Sequence, residues 1–351
     1  MLIFANPRHA LHDGRHEMFR GRLVPCHETP ARLDHVLAEL GRRPVGELRE
    51  APPVPRATLE RVHEPRYLNF LTTAWAEWVA LDPANAEVDA LPSTWPVRGF
   101  RHDIEPLNFA ARMGLYSYDA GTPLTPGTWA AAEAGAACAV AAAHAVAGAN
   151  APRAAVALTR PPGHHAGADF FGGYCFLNNA ALAAQALRDG GAKRVAVLDV
   201  DYHHGNGTQS LFYGRSDMLT ISIHGDPRTE YPFFLGHADE RGEGDGFGYN
   251  LNLPLPAGTG FVAWRTALME ALHRVKDFGA DALVVALGVD TYEGDPISRF
   301  TLGSGDYLRV GLDLASTGLP TVFTLEGGYA VAAMGVNVVN VLEGFASAGA
   351  A

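Results

Sequence analysis

Short apolar runs alternate with longer amphipathic or apolar stretches along most of the chain. Runs of this length, apolar at nearly every position, are typical of strands buried on both faces of a sheet. We predict such strands at Leu2 to Ala5, Ala154 to Leu158, Val195 to Val200, Leu219 to Ile223, Leu283 to Val289 and Thr321 to Leu325. Helices are predicted between them, near residues 30–41, 127–149, 176–190, 261–278, 304–317 and 335–346.

This alternation of strands and helices predicts an α/β protein. Because no linker divides the chain, we expect one domain over residues 1–351, built on a single doubly wound, mostly parallel sheet with helices on both faces. Residues 82–126 differ from the rest, since they are rich in proline and glycine and have no clear period. A loop insertion of this length is usually a lid, a binding loop or an oligomer contact.

Composition and charge narrow the class of protein. The 351 residues are 48% hydrophobic and their formal net charge is -11, which fits a globular protein and argues against nucleic-acid binding. The apolar run from Trp129 to Ala149 contains Glu133 and His144, so we interpret it as a packed helix and expect no membrane span. Three cysteines and an N-terminus unlike a signal peptide predict a cytoplasmic protein without a disulfide framework.

Two adjacent histidines, His164 and His165, follow the turn formed by Pro161, Pro162 and Gly163. A histidine pair on a surface loop often has no function beyond solubility. Here the turn ends the apolar run AAVAL, so the pair lies just beyond the carboxyl end of a predicted strand. Ligands of open parallel sheets bind at that edge, which favours a functional site.

A second group of polar residues follows the predicted strand at Val195. Asp201 and His203 are two positions apart, so their side chains point the same way in an extended backbone, and Asp199 lies one step deeper on that face. Asp290 ends the run LVVALGVD at another strand end. Taken alone, Asp-x-His is more often a helix cap or a turn. Together these residues predict an ion held by two carboxylates and one imidazole, with room for water and a substrate oxygen.

Several long motifs resemble the histone deacetylase superfamily. They are RPPGHHAG, GGYCFLNNAA, DVDYHHGNGTQ, GVDTYEGDPIS and LEGGY, in this order along the chain. The resemblance runs from RHEMFRGRLVPCHETPAR to GVNVVNVLEGF. Within the superfamily the chain is most similar to the bacterial acetylpolyamine amidohydrolases, notably in PVRGFRHDIE, LTPGTW and HGDPRTEYPFFLGHADE.

The resemblance assigns Asp201, His203 and Asp290 to a catalytic zinc ion, which iron(II) or cobalt can replace. It makes His165 the general base and acid that takes a proton from the attacking water and gives one to the departing amine. His164 then supports the site electrostatically. Their expected partners are Asp199 for His164 and Asn206 for His165. An asparagine at 206, where some relatives have aspartate, should lower the basicity of His165.

The resemblance also implies that Tyr329, after the flexible pair Gly327 and Gly328, donates a hydrogen bond to the tetrahedral oxyanion. A buried tyrosine that only packs is the alternative. A structural potassium ion is implied as well, and a purely hydrogen-bonded network is the alternative there. Its expected ligands are the side chains of Asp199 and Ser222 and the backbone carbonyls of Asp201, His203 and Ile223.

The substrate channel implied by the resemblance is lined by Tyr174 and Tyr231 beside Gly173, with an aliphatic chain between the two rings. Glu105 matches an entrance-loop carboxylate that attracts a distal ammonium group, although a lone surface glutamate explains it equally well. A second such carboxylate is replaced by Gly121, with Asp119 nearby. The loop at 82–126 resembles an insertion that builds a homodimer and narrows the entrance.

These features predict a zinc-dependent amidohydrolase that removes acetyl groups from N-acetylated polyamines or diamines, releasing acetate and free amine. The alternative substrate class is acetyl-lysine in bacterial proteins or peptides, and a sensor that binds acetylated amines without turnover is a further alternative. A related ureohydrolase would need additional carboxylates for a second ion. Gly205 and Tyr292 occupy the corresponding positions, so a single-metal amidase is favoured.

Overall fold

Eight parallel strands form the central sheet of the computed structural model, which describes residues 1–148 and 150–348. Its strand order is β4-β1-β5-β10-β9-β6-β7-β8. The strands are β1 (Leu2–Ala5), β4 (Glu47–Arg49), β5 (Ala154–Leu158), β6 (Val195–Asp199), β7 (Met218–Gly225), β8 (Asn250–Leu255), β9 (Ala282–Leu287) and β10 (Thr321–Leu325). Two further strands, β2 (His16–Phe19) and β3 (Arg22–Pro25), form a separate antiparallel hairpin.

Helices cover both faces of the sheet. They are α1 (Ala31–Arg42), α2 (Arg56–Leu59), α3 (Pro65–Leu81), α4 (Phe109–Leu115), α5 (Thr128–Val146), α6 (Asn179–Asp189), α7 (Asn206–Phe212), α8 (Phe261–Phe278), α9 (Asp306–Ala315) and α10 (Val331–Ser347). Side chains alternate across each strand, so Val284 joins the hydrophobic cluster under α5 and α6, while Leu283 and Val285 join the cluster under α8 and α10. The predicted parallel α/β sheet with helices on both faces is confirmed.

The sequence pattern missed the shorter elements. It did not predict β4, β8, the hairpin of β2 and β3, or the helices α2, α3 and α7, most of which are too short to show a full period. The interpretation of residues 82–126 as irregular was wrong in part, because they contain α4 and a short 3-10 helix at Pro83–Glu87. The helix predicted over 127–149 ends at Val146, and position 149 lies outside the described residues. The extent of the predicted domain stays a prediction.

Helix α5 is long and apolar enough to cross a membrane by length and composition alone. In the structure, 67% of its most apolar window is buried inside the protein. Its small side chains, including Ala136, Ala139 and Ala142, are fully enclosed and belong to the hydrophobic cluster on that face of the sheet. The helix therefore packs as a core element.

The strand order decides where the functional groups meet. Strands β5, β10, β9 and β6 are consecutive neighbours in the sheet although they are far apart in the sequence. Because they run parallel, the segments that follow them leave the sheet at the same edge. These segments carry His164 and His165 after β5, Asp201 and His203 after β6, Asp290 after β9, and Tyr329 after β10.

Three histidines are buried in the interior as neutral side chains. Burial lowers the pKa of His12, His63 and His224 to about 4 in each case. His63 is typical, since its Nδ1–H donates to the carbonyl of Gly167 at 2.8 Å and its Nε2 accepts from the backbone N–H of Asn178 at 3.0 Å. The second bond requires the neutral ring, because Nε2 can accept only when it carries no proton.

We predict that these three histidines destabilise the folded protein as the pH falls from 6.5 towards 4. In that window the unfolded chain binds protons on these histidines while the folded chain does not, so unfolding is favoured. Each histidine should contribute a loss on the order of 2 kcal/mol at pH 5. Urea denaturation at pH 7.5 and pH 5 measures the change. The variant His63→Gln, which cannot titrate there, should lose less than the native protein, and an equal loss in both would contradict this account.

Candidate active site

Asp201, His203 and Asp290 form a compact donor group in the interior. Their candidate ligand atoms all lie within 4.8 Å of one another, and the three residues are buried. His203 Nδ1 lies 2.9 Å from Asp290 Oδ2 and 3.4 Å from Asp201 Oδ1. Two carboxylates and an imidazole this close match the ligand set of a catalytic zinc ion, which bonds each atom at about 2 Å.

Backbone groups orient both carboxylates towards His203. Asp290 Oδ1 accepts the N–H of Tyr202 at 2.7 Å, which leaves Oδ2 facing the imidazole. Asp201 Oδ2 accepts the N–H of Gly327 at 2.7 Å, which leaves Oδ1 on the side of His203. Asp201 Oδ1 also accepts the N–H of His203 at 2.9 Å and keeps a second lone pair, so each carboxylate still presents an oxygen to a metal ion.

Two glycines are required by the close approach of the backbone to Asp201. A Cβ atom at Gly288 would lie 2.0 Å from Asp201 Oδ2, and one at Gly327 would lie 2.5 Å from the same oxygen. Neither distance is possible for real atoms. The loops after β9 and β10 can close around the carboxylate only because these positions lack side chains.

The charges of the group also favour the binding of a cation. Burial, followed by the neighbouring charge of Asp201, raises the pKa of Asp290 to about 7. Two carboxylates side by side in the interior are costly unless a positive charge balances them. A divalent ion supplies that balance and holds both groups ionised.

The tandem histidines lie beside this group with their ring centroids 4.0 Å apart. His164 Nδ1 is 2.8 Å from Asp199 Oδ2, and His165 Nδ1 is 2.6 Å from Asn206 Oδ1. The turn before them is held by Glu326, whose Oε2 accepts the N–H of Gly163 at 2.6 Å. The two expected partners are thus at the two rings, while the catalytic roles stay predictions.

The two imidazoles differ in charge because their partners differ. Burial alone lowers the pKa of His164, but Asp199 and then Asp201 more than offset this and raise it to about 10. The pKa of His165 is well below its usual value, first through burial and then through the positive charges of His164 and His203. At neutral pH, His164 is the cation and His165 is the neutral base.

A cavity of about 390 Å³ leads from the surface to this group. His165, His203 and Tyr329 lie along it, and Gly173, Tyr174 and Tyr231 form its walls. The Tyr231 ring is 5.1 Å from that of His165, and the Tyr174 ring is 5.5 Å from that of Tyr329. The channel therefore has an aromatic lining that suits a slender aliphatic chain.

Two carboxylates stand behind the aromatic walls. Glu17 on β2 accepts the hydroxyl of Tyr174 at 2.9 Å, and Asp119 accepts the hydroxyl of Tyr231 and the N–H of Gly173, both at 2.6 Å. Both residues line the cavity. Sequence reasoning missed Glu17 and noted Asp119 only in passing. The one signal in the sequence that could have indicated Glu17 is its charge, at an inward-facing position of the alternating strand HEMF.

Glu105 is not brought to the cavity in this structure. Its Oε2 accepts the hydroxyl of Tyr116 at 2.6 Å, and its Oε1 lies 3.5 Å from Arg112 Nη1. These contacts hold it on the 82–126 segment, and it is not among the described residues that line the cavity. Gly121 and Asp119 do line it, so Asp119 is the carboxylate that this segment places at the channel.

Of the residues expected to hold potassium, Asp199 ends β6, Asp201 and His203 follow it, and Ser222 and Ile223 lie on the neighbouring strand β7. Asp199 is paired with Ser222 in the sheet register, and Ile223 follows directly on β7. A small enclosed space of about 10 Å³ has both Asp199 and Ser222 in its lining. Ser222 Oγ lies 2.8 Å from His224 Nδ1. The ion itself stays a prediction.

Comparison with known proteins gives consistent matches over the whole chain. Residues 26–345 match the family model of the histone deacetylase domain. Acetylpolyamine amidohydrolase 2 of Pseudomonas aeruginosa is 51% identical over 345 residues, which is 98% of each chain. Acetylpolyamine amidohydrolase of Mycoplana ramosa is 45% identical over 346 residues, which is 99% of this chain and 100% of that one.

A solved structure is similar over the same extent. The crystal structure of an acetylpolyamine aminohydrolase from Burkholderia pseudomallei superimposes with a TM-score of 0.93 at 39% identity, covering 99% of both chains.

The variant Asp290→Ala should lose the metal ion, because it removes one of the three protein ligands. We expect metal affinity to fall by at least about 100-fold and amide hydrolysis to fall with it. Bound metal is measured by mass spectrometry after dialysis. The variant Asp313→Ala, which removes a carboxylate paired with Arg265 on the surface, should keep its metal. Full metal content in Asp290→Ala would show that the ligand assignment is wrong.

Proposed function

The chain belongs to the histone deacetylase family and is a hydrolase of amides; we propose that it removes the acetyl group from N-acetylated polyamines or diamines, releasing acetate and the free amine. The predicted resemblance and the deacetylase fold are confirmed by the family match and the structural superposition. The substrate proposal is supported by the names of the relatives and by the carboxylates at the channel.

We propose zinc as the metal, held by Asp201, His203 and Asp290, with iron(II) or cobalt as substitutes. The family is generally zinc-dependent, and the donor set suits that ion. When bound, the ion polarises the amide carbonyl and lowers the pKa of water. The chain's own residues then have to bind the acyl group, orient it and move two protons.

His165 is the proposed general base and acid. Because Asn206 Oδ1 can only accept a hydrogen bond, His165 Nδ1 carries the proton and Nε2 keeps a free lone pair. This nitrogen takes the proton of the attacking water and returns it to the leaving amine. His164 cannot fill this role, since it is already protonated beside Asp199 and contributes positive charge instead.

Tyr329 is the proposed donor to the oxyanion. Burial raises the pKa of its phenol well above the usual value, so the hydroxyl keeps its proton. A protonated donor at the cavity wall stabilises the negative charge that develops on the carbonyl oxygen during attack. Tyr174 beside it supports one side of the substrate chain.

Glu17 and Asp119 carry the substrate proposal. Aromatic walls alone suit acetyl-lysine as well as an acetylated diamine. Two carboxylates along the same channel make its field negative, which favours a substrate with a free ammonium group beyond the alkyl chain. A peptide has a neutral backbone at that distance from its acetyl group, and it gains less from this field.

The proposal also includes a structural ion, an oligomeric state and a cellular location. We propose a structural potassium ion at Asp199, Ser222 and the carbonyls of Asp201, His203 and Ile223. We propose a homodimer formed through the 82–126 segment, in which the large side chains of Phe100, Ile104 and Leu107 are exposed. Three free cysteines support the proposed reducing, cytoplasmic location. The net charge of -11 and the buried packing of α5 support the proposed absence of nucleic-acid and membrane partners.

A side-by-side rate comparison tests the substrate class. We expect kcat/KM for acetylputrescine and acetylcadaverine to exceed that for acetyl-lysine peptides. The variants Glu17→Gln and Asp119→Asn should reduce kcat/KM for acetylputrescine by about 10-fold or more, because each removes a negative charge from the channel that attracts the ammonium group. Both should change the rate on N-butylacetamide, a neutral analogue with the same four-carbon chain, much less. Faster hydrolysis of peptides would contradict the proposed substrate class and indicate a lysine deacetylase.

The variant Tyr329→Phe separates an enzyme from a sensor. It should lower kcat for acetate release by about 100- to 1,000-fold while metal content stays unchanged, because only the oxyanion donor is lost. Acetate release is measured by a coupled assay, and binding by calorimetry. Tight binding of acetylputrescine by the native protein without any acetate release would favour the sensor.

A further inference from the structure

The carboxylate of Asp295 joins the loop after β9 to the loop after β10. Asp295 is 8% exposed, and its Oδ2 accepts the backbone N–H of Tyr329 at 2.7 Å and that of Ala330 at 3.2 Å. Its Oδ1 accepts the N–H of Ile297 at 3.0 Å. One side chain therefore fixes the backbone of the proposed oxyanion donor and that of Ile297 in the cavity wall.

The backbone before Tyr329 is intrinsically free to move. Gly327 and Gly328 precede it, and Gly328 has a φ of +134°, a value that side chains other than hydrogen rarely permit. Before the ring, two hydrogen bonds hold the backbone. Gly327 N–H donates to Asp201, and the carbonyl of Gly328 accepts from Arg32 Nε at 2.7 Å. At Tyr329 and Ala330, the side-chain hydrogen bonds to the described backbone come from Asp295. The ring itself is also contacted by the Arg32 guanidinium, which lies 4.8 Å from the ring centroid.

The position of Asp295 in the chain links it to the metal group as well. It follows Asp290 by five residues. One short segment therefore carries a proposed metal ligand, the carboxylate that binds the Tyr329 backbone, and Ile297 in the cavity wall. Ser298 Oγ donates to the carbonyl of Asp290 and closes this segment on itself. Movement of the segment would shift the metal ligand and the phenol together.

We propose that Asp295 is a positioning residue that holds the Tyr329 phenol at the distance from the metal group at which it meets the oxyanion. The proposal rests on the proposed function in one respect, namely that Tyr329 donates to the oxyanion. Asp295 is not among the described residues that line the cavity, and it is not one of the three residues of the metal group. It acts through two charge-assisted hydrogen bonds to the backbone that carries the ring.

A structural role has to be separated from this one, because Ala330 directly precedes α10. A carboxylate at a helix N-terminus stabilises the helix dipole, so loss of Asp295 should reduce stability in either case. Stability alone cannot decide. The two roles are distinguished by whether the effect of Asp295 on kcat depends on the Tyr329 hydroxyl. A helix cap stabilises α10 whether residue 329 is tyrosine or phenylalanine.

The deciding experiment is a double-mutant cycle with Asp295→Asn and Tyr329→Phe in the metal-loaded protein. We expect Asp295→Asn to lower kcat on acetylputrescine by about 10- to 100-fold, because misplacement of a catalytic group by about 1 Å has effects of that size. In the Tyr329→Phe background the same change should lower kcat by less than about 3-fold, since the hydroxyl it positions is gone. Metal content should stay at the native level in all four proteins.

Asp281→Asn is the matched control. Asp281 Oδ2 also accepts two backbone N–H groups, from Lys193 at 2.6 Å and Arg194 at 2.9 Å, but it lies at the other end of β9. Its variant should leave kcat unchanged. The cycle uses Asp295→Asn because this variant keeps the shape of the side chain. It therefore tests the proposal even if Asp295→Ala does not fold.

Three outcomes would overturn the proposal. An unchanged kcat in Asp295→Asn, or an equal loss in the tyrosine and phenylalanine backgrounds, would make Asp295 a structural cap only. An unchanged kcat in Tyr329→Phe would instead refute the oxyanion role itself, and the positioning role with it. The two failures are therefore distinguishable in one set of four proteins.

Discussion

Negative charge concentrated in the interior is the constraint on which this structure depends. Asp199, Asp201 and Asp290 are almost fully enclosed, and carboxylates so placed are stable only beside positive charge and hydrogen-bond donors. The fold supplies backbone N–H groups to each of the two metal-facing residues and a protonated His164 to Asp199. The remaining charge on Asp201 and Asp290 is what makes the group a site for a divalent cation.

The same constraint gives neighbouring histidines opposite properties. His164 and His165 share a turn and are equally buried, yet one faces a carboxylate and the other faces an amide. The carboxylate keeps its partner cationic, and that cation in turn lowers the pKa of the next ring. A proton acceptor and a fixed positive charge are thereby obtained from two identical side chains. This difference in charge arises because Asp199 faces His164 where Asn206 faces His165, and Asp201 adds to it.

Rigidity at the site comes from contacts between loops that are distant in the sequence. Gly327 approaches Asp201 closely enough to exclude a Cβ atom, Glu326 holds the turn before the histidines, and Asp295 ties the Tyr329 backbone to the segment after β9. Each tie is a carboxylate accepting backbone N–H groups. Such bonds are strong when buried, and they fix backbone position without restricting the side chains that face the channel.

The sequence by itself determined the parallel sheet and six of its strands, and it predicted Asp201, His203 and Asp290 as metal ligands and His165 as the residue that transfers protons. Buried parallel strands are apolar throughout and short, so they are visible as runs, and Asp201 with His203 follows from the two-residue period of an extended chain. Long motifs such as DVDYHHGNGTQ carried the family and the chemistry. Weakly periodic or short elements, such as the hairpin that carries Glu17, gave no comparable signal.

Only the tertiary structure decided which carboxylates reach the channel. Glu105 was expected there, but Tyr116 and Arg112 hold it on its own segment, while Glu17 and Asp119 stand behind the aromatic walls. The tie between Asp295 and Tyr329 likewise joins residues 34 positions apart. The physical reason is the same in each case: a hydrogen bond between distant segments depends on where the strand order places them, and local periodicity carries no information about that order.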